Sequence, residues 1–503
     1  MLLNLVLAII FSLRHGEAAN ENEVEFGQMC VLYDLLSKPI PESKITTREA
    51  TGTAEAPKKA LTNFLSLAHK LNLSVAEPQI VEVLSHLQIY KDKKSVTDDE
   101  TKKGFFTLAD DAELKKLQQL YKEITGTGDA DKAFSTKYGA PLSEAQRETI
   151  RKPMKQLYDR MLELKRQLDD TAATQETAEK NARKQMTLAL YGSDQLSAVG
   201  DKLDPRQKLA DPAAGQFPWA SGARDANCAV ASTTKGHAGL ALATDMLCIC
   251  LKHESSTHNQ CAGNFIPSAA DYAAARSQHD ALDAWVKLSK QCPTATDATS
   301  LTELQYRLHS ATSAVLSSLG SNHQTVAAAQ SSSNTDRKKM NFLGYYTLGG
   351  AAPSCSGTGG SVTSTQGKGY CIDYSSFRKK DKQIPWVAAV QAAQTHIHKA
   401  AGEFAQASTL LHQAQTITNQ MEGLLLMASL LPTVKTQIAG TVSDAPKIEE
   451  QNQCKNPPNK TAEGCAAIGC EFDSDKNECK PKAEAETTEA TGVNCSSHTT
   501  KET

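Results

Sequence analysis

The side chains best equipped for chemistry in this chain are its cysteines and a few histidines. Thirteen cysteines are present, eight from Cys30 to Cys371 and five from Cys454 to Cys495. Cys248, Cys250, His253 and Cys261 supply the ligand types of a zinc site, but structural zinc sites use wider hairpin spacings, and in an oxidising compartment the same thiols pair as disulfides. No metal is expected. His396 and His398 stand two apart on a predicted helix, so they point to different faces and cannot chelate together. The stretch Gly359–Gly369 (GGSVTSTQGKG) has the composition of a phosphate-binding loop. Its spacing is wrong: six residues rather than four separate Gly360 from Gly367, and Lys368 is followed by Gly instead of Ser or Thr. It reads as an exposed loop closed by a local Cys355–Cys371 bond. With no nucleophile elbow, HExxH or DxDxDG motif, neither an enzymatic activity nor a cofactor is expected.

Two kinds of modification are written in the chain. Disulfides are expected among Cys30, Cys228, Cys248, Cys250, Cys261, Cys292, Cys355 and Cys371, and separately among Cys454, Cys465, Cys470 and Cys479, with Cys495 left over. N-glycosylation sequons occur at Asn72-Leu73-Ser74, Asn459-Lys460-Thr461 and Asn494-Cys495-Ser496, of which Asn459 lies in the most polar surroundings.

The ends of the chain agree on a compartment. Leu2 to Leu13 is almost wholly apolar and precedes Gly16-Glu17-Ala18, a small-x-small pattern. We read residues 1–18 as a signal peptide too short to span a bilayer. No second apolar run is long enough for a membrane helix. Near the other end, the only sizeable apolar side chains between Cys454 and Cys479 are Ile468 and Phe472. Such a module has too little core to offset the entropy of ordering it, so disulfides must hold it, each short loop contributing about 3 kcal/mol.

The elements between the ends are helical. Residues 57–73 put Leu61, Phe64, Leu65, Ala68 and Leu71 on one face, and residues 113–123 do the same with Leu114, Leu117, Leu120 and Tyr121. Ser143 and Gln146 form a predicted capping box, after which Ile150, Met154, Leu157, Met161, Leu164 and Leu168 recur in a heptad seam, with Pro153 in the early turns. A second seam has Val390, Ile397, Phe404 and Leu411 seven apart, with Ala393, Ala400, Ala407 and Ala414 at the complementary positions. An unbroken helix from Trp386 to Leu431 would run about 69 Å. Alternating large residues with Ala lets helices approach closely. Residues 192–380, rich in Gly, Ser, Thr and Pro, read as loops and short helices inserted between the long ones, forming lobes at their ends. The expected fold is mainly α: an elongated antiparallel helical-hairpin or coiled-coil rod with loop-rich lobes and a small disulfide-stapled C-terminal module. A net charge of −3 with no basic stripe excludes a nucleic-acid partner.

A signal peptide, the opening Asn22–Leu36 (NEVEFGQMCVLYDLL), a long helical hairpin and the tail Cys454–Cys479 (CKNPPNKTAEGCAAIGCEFDSDKNEC) occur here in that order. In this the chain resembles the trypanosome variant surface glycoproteins with a B-type N-terminal domain. The resemblance implies an N-terminal domain over 19–445, a linker and cysteine-rich subdomain over 446–479, and a disordered or truncated second subdomain over 480–503. It implies Cys454–Cys470 and Cys465–Cys479 pairing in the tail, and O-linked sugar on an upper-lobe serine, for which Ser331, Ser332 and Ser333 are the counterparts in composition. It also implies a homo-oligomer (dimer or trimer), host antibodies as partners, and a glycosylphosphatidylinositol (GPI) anchor holding the protein at the outer face of the plasma membrane. The implied role is a structural coat that shields the parasite membrane and varies its epitopes. The alternative is a receptor for transferrin, haptoglobin–haemoglobin or a serum factor on the same scaffold. The polar end SSHTTKET departs from a GPI signal, which ends in an apolar tail. If the chain truly ends at Thr503, a secreted form is expected instead.

Overall fold

The computed structural model describes residues 20–45, 55–102, 104, 106, 110–126, 128–251, 260–262, 272–325, 339–349, 351–357, 367–378, 382–431, 461–462, 465, 470–474, 476 and 478–481. The signal-peptide segment, His253, Ser331, Ser332, Ser333, Cys454, Asn459 and Asn494 lie outside them. The chain divides into two compact units, Met1–Thr433 and Val434–Thr503.

In the first unit the helices are α1 (Glu23–Ser37), α2 (Pro57–Leu73), α3 (Pro78–Ser85), α4 (Lys93–Thr97), α5 (Asp111–Thr125), α6 (Asp129–Tyr138), α7 (Glu144–Val199), α8 (Arg224–Cys228), α9 (Leu242–Cys250), α10 (Gln278–Ser289) and α11 (Leu301–Ser317). Strands β1 (His323–Thr325), β2 (Phe342–Leu348) and β3 (Gly369–Asp373) follow, then α12 (Ser375–Arg378) and α13 (Pro385–Leu430).

The two long helices dominate. α7 has 56 residues and α13 has 46. α7 starts at the predicted capping box: the Ser143 hydroxyl accepts from the Gln146 amide, and the Gln146 side chain accepts from the Ser143 amide. Gln146 Nε2 also donates to the Leu431 carbonyl at 2.8 Å, so the start of α7 meets the end of α13 and the pair is antiparallel. Both seams bury their large residues and alanines, with two exceptions. Phe404 on α13 and Leu157 on α7 are only half-buried.

Phe404 falls between two separate cores. One core joins Ile150–Leu168 of α7 to Ala407–Ala428 of α13 and to α2. The other joins Ala178–Tyr191 of α7 to Ile384–Ala400 of α13, and includes α1 and much of residues 217–377. A third, smaller core packs residues 73–124. The inserted segment therefore builds a lobe with α1 at the N-terminal half of α13. The lobe material at the other end comes from residues 57–142, ahead of α7, instead of from the insertion.

The span α7 is a long helix up to Tyr191 and a short one over residues 193–199, separated by a kink at Gly192 (φ 77°, ψ −172°), so the insertion opens with a short helix as expected. Pro153, the tenth residue of α7, is accommodated within the long helix. One expectation about the insertion is corrected: it holds a sheet as well as loops and helices. β2 pairs parallel with β1 and antiparallel with β3, in the register Leu343↔Ile372 and Gly344↔Cys371. Every residue of β2 (FLGYYTL) is buried, so it lacks the polar–apolar alternation that marks a strand in sequence.

The second unit contains the antiparallel hairpin of β4 (Cys470–Asp473) and β5 (Glu478–Pro481). Cys465 is buried and disulfide-bonded. The expected Cys454–Cys470 and Cys465–Cys479 pairing involves the side chains of Cys454, Cys470 and Cys479, which lie outside those described.

Candidate functional site

The chemistry of the first unit is concentrated in the lobe around α1, α8, α9 and the sheet. All eight of its cysteines are oxidised there. Cys30 bonds Cys292, Cys228 bonds Cys248, Cys250 bonds Cys261, and Cys355 bonds Cys371. Cys30–Cys292 spans 262 residues of sequence and ties α1 to the segment after α10. Cys248, Cys250 and Cys261, weighed above as metal ligands, are all consumed in disulfides. Among the described residues no cluster of His, Cys, Asp and Glu could hold a metal ion. His396 is half-buried and His398 exposed on α13.

A buried cation joins two of these bonds. Arg224, at the start of α8, is fully buried. Its Nε donates to the Cys248 carbonyl at 3.0 Å, Nη1 to the Cys355 carbonyl at 2.9 Å, and Nη2 to the Cys371 carbonyl at 3.1 Å. Nη1 also donates to Asp225 Oδ1 at 2.8 Å, and the guanidinium lies 5.4 Å from the centre of the Tyr370 ring. Burial pulls its pKa down while Asp225 pushes it up. A planar fork with several donors is the group that can satisfy so many converging carbonyls at once.

Two further buried polar residues pin the sheet to the helices. Asn22, just ahead of α1, donates through Nδ2 to the carbonyls of Ile249 and Tyr370 at 2.7 Å each, and its Oδ1 accepts from the Tyr345 amide at 2.7 Å. Gly344 lies against this contact at φ +97°; a Cβ there would stand 2.7 Å from the Tyr370 carbonyl oxygen. Asp245 on α9 accepts from the Gly239 amide (2.7 Å), the Tyr374 hydroxyl (2.5 Å) and Trp386 Nε1 (2.8 Å). Burial raises its carboxyl from the ordinary 3.8 to about 7, against the lowering effect of the three hydrogen bonds.

The sequence had flagged the cysteines but not Arg224, Asn22 or Asp245. For Asp245 a signal existed, since a lone carboxylate sits in the otherwise apolar run Leu242–Cys250. Arg224 and Asn22 lie in polar surroundings that look like any loop. Of the predicted glycosylation residues, Asn72 is half-buried in the last turn of α2. Among the described residues no helix is long and apolar enough to cross a membrane.

The arrangement is therefore a cross-braced scaffold whose polar groups are spent on holding strands, helices and disulfides together. Comparison with known proteins accords with that. Variant surface glycoprotein ILTAT 1.21 of Trypanosoma brucei brucei is 34% identical over 153 residues, covering 27% of this chain and 30% of that relative. The chain thus matches less than a third of the relative's length. The model of the trypanosomal VSG domain, type VSG_B, matches residues 5–416. By that match over most of its length, the chain belongs to the trypanosomal VSG domain family.

Proposed function

We propose that this chain is a structural glycoprotein of a trypanosome surface coat. It is displayed at the outer face of the plasma membrane and held there by a GPI anchor. Side-by-side packing of the long helical pairs keeps host antibodies from the membrane beneath, and variable exposed loops carry the epitopes that antibodies recognise. The observation that carries this reading is the family match over residues 5–416. One feature supports it: the eight cysteines of the first unit are oxidised, as in an extracellular protein. In this reading the chain forms a dimer or trimer, carries N-linked sugar at Asn459, Asn72 and Asn494, and O-linked sugar at Ser331, Ser332 or Ser333. It performs no catalysis.

The test is replacement. The full gene is expressed in trypanosomes whose resident coat protein is silenced. The expected result is dense surface labelling, release of the protein by a GPI-specific phospholipase, and loss of antibody access to an invariant membrane protein. Retention inside the cell, or unchanged antibody access beneath a well-expressed protein, would count against the coat. Saturable capture of a single host serum protein would favour a receptor in its place.

A further inference from the structure

A cavity of about 280 Å³ opens where α7 breaks. Leu188, Pro218, Leu240 and Pro385 give it apolar walls, and Asp194 and Lys235 line it with charge. The break itself is the first reason to consider a ligand. Gly192 takes φ 77° and ψ −172°, a backbone region essentially closed to other residues, at the kink between the long helix and the short helix over residues 193–199.

The walls are fixed in advance. Thr244 Oγ1 donates to the Pro218 carbonyl, and the Ala220 amide donates to the Gly236 carbonyl at 3.1 Å. Asp245 clamps Gly239, beside Leu240, to Trp386, beside Pro385. A Cβ at Gly236 would come 2.1 Å from the Ala220 nitrogen, so the loop closes only with glycine there. Pockets used by small molecules are commonly preformed in this way, apolar with a few placed polar groups.

The two charges are unequal. Lys235 Nζ meets Asp194 Oδ2 at 2.7 Å, but the lysine side chain is 74% exposed and the aspartate 27%. Exposed ion pairs of this kind are weak. The ammonium can swing into water, whereas the carboxylate stays on the shorter, more enclosed side chain. We propose that the cavity binds a small organic cation, a protonated amine whose ammonium replaces that of Lys235 on Asp194 and whose single ring or short aliphatic body lies against Leu188, Pro218, Leu240 and Pro385. The volume of about 280 Å³ admits a one-ring amine. This site is independent of the coat reading.

The experiment is calorimetric titration of the full chain with phenethylamine and, in parallel, with 3-phenylpropionate. Saturable binding of the amine and much weaker binding of the carboxylate are expected. Asp194→Asn should weaken amine binding roughly tenfold, the worth of one charge-assisted contact. Lys235→Ala should leave it unchanged or tighten it, and Leu240→Trp, which fills the cavity, should abolish it. Circular dichroism checks that each variant is folded. Asp194 and Lys235 reach the surface, so their substitution keeps the test open should Leu240→Trp misfold. Absence of saturation by the amine, equal affinity for the carboxylate, or an unchanged affinity in Asp194→Asn would overturn the proposal.

Discussion

Asp245 is a buried carboxylate whose three donors, the Gly239 amide, the Tyr374 hydroxyl and the Trp386 indole, are all uncharged. Burial favours the proton more strongly than these hydrogen bonds favour the charged form. Its native carboxyl titrates at about 7 against 3.8 when exposed. The sign of the consequence follows from linkage. Between roughly pH 4 and pH 7 the folded chain holds a proton that the unfolded chain has lost, so Asp245 makes the protein less stable as pH rises through that window. Asp245→Asn should therefore flatten the pH dependence of the melting temperature between pH 4 and 7 relative to the parent. Identical slopes would remove Asp245 from the account. Such residues are poorly legible in sequence. A lone Asp in an apolar run hints at a buried acid, but Tyr374 and Trp386 are 129 and 141 positions away in the chain, and no local pattern names them.

Helices were the legible elements. Repeats of large residues and alanines on the two seams gave the long helices and their faces, because a buried stripe on a helix recurs with a fixed period. The limits of α2 could be read from Pro57 and Leu73, and the start of α7 from its capping box. What periodicity could not convey was where the stripe lapses. Phe404 keeps the spacing yet is half-buried, because it falls between two cores built by elements from different parts of the chain. The sheet was hidden for a related reason: β1 and β3 are short, and every residue of β2 is covered. The alanines make a sharper claim. Ala407 is buried where α13 faces α7 and α2, so Ala407→Leu should overpack that contact and cost about 1–3 kcal/mol in denaturant unfolding. Ala405→Leu, on an exposed position of the same helix, should cost close to nothing. Equal effects of the two substitutions would mean that the small residues do not set the helix spacing.

At the scale of the molecule, stability is divided unevenly along the first unit. The core that joins α2 to the N-terminal half of α7 and the C-terminal half of α13 contains no cysteine. The lobe core contains Cys30, Cys228, Cys248, Cys250 and Cys261, and Cys355 and Cys371 pack together against the sheet. Reduction in mild denaturant should accordingly strip hydrogen-exchange protection from α9, α10, α11, β2 and β3 while residues 150–168 and 407–428 keep theirs. Simultaneous loss from both regions would show a single cooperative unit. The claim beneath the whole account is that an antiparallel helical pair carries a fully oxidised lobe suited to life outside the cell. Peptide mapping of the protein, expressed in trypanosomes and digested without reduction, tests it most directly. The account predicts Cys30–Cys292, Cys228–Cys248, Cys250–Cys261 and Cys355–Cys371 as the linked peptides. Free thiols at these positions, or a different set of links, would contradict it.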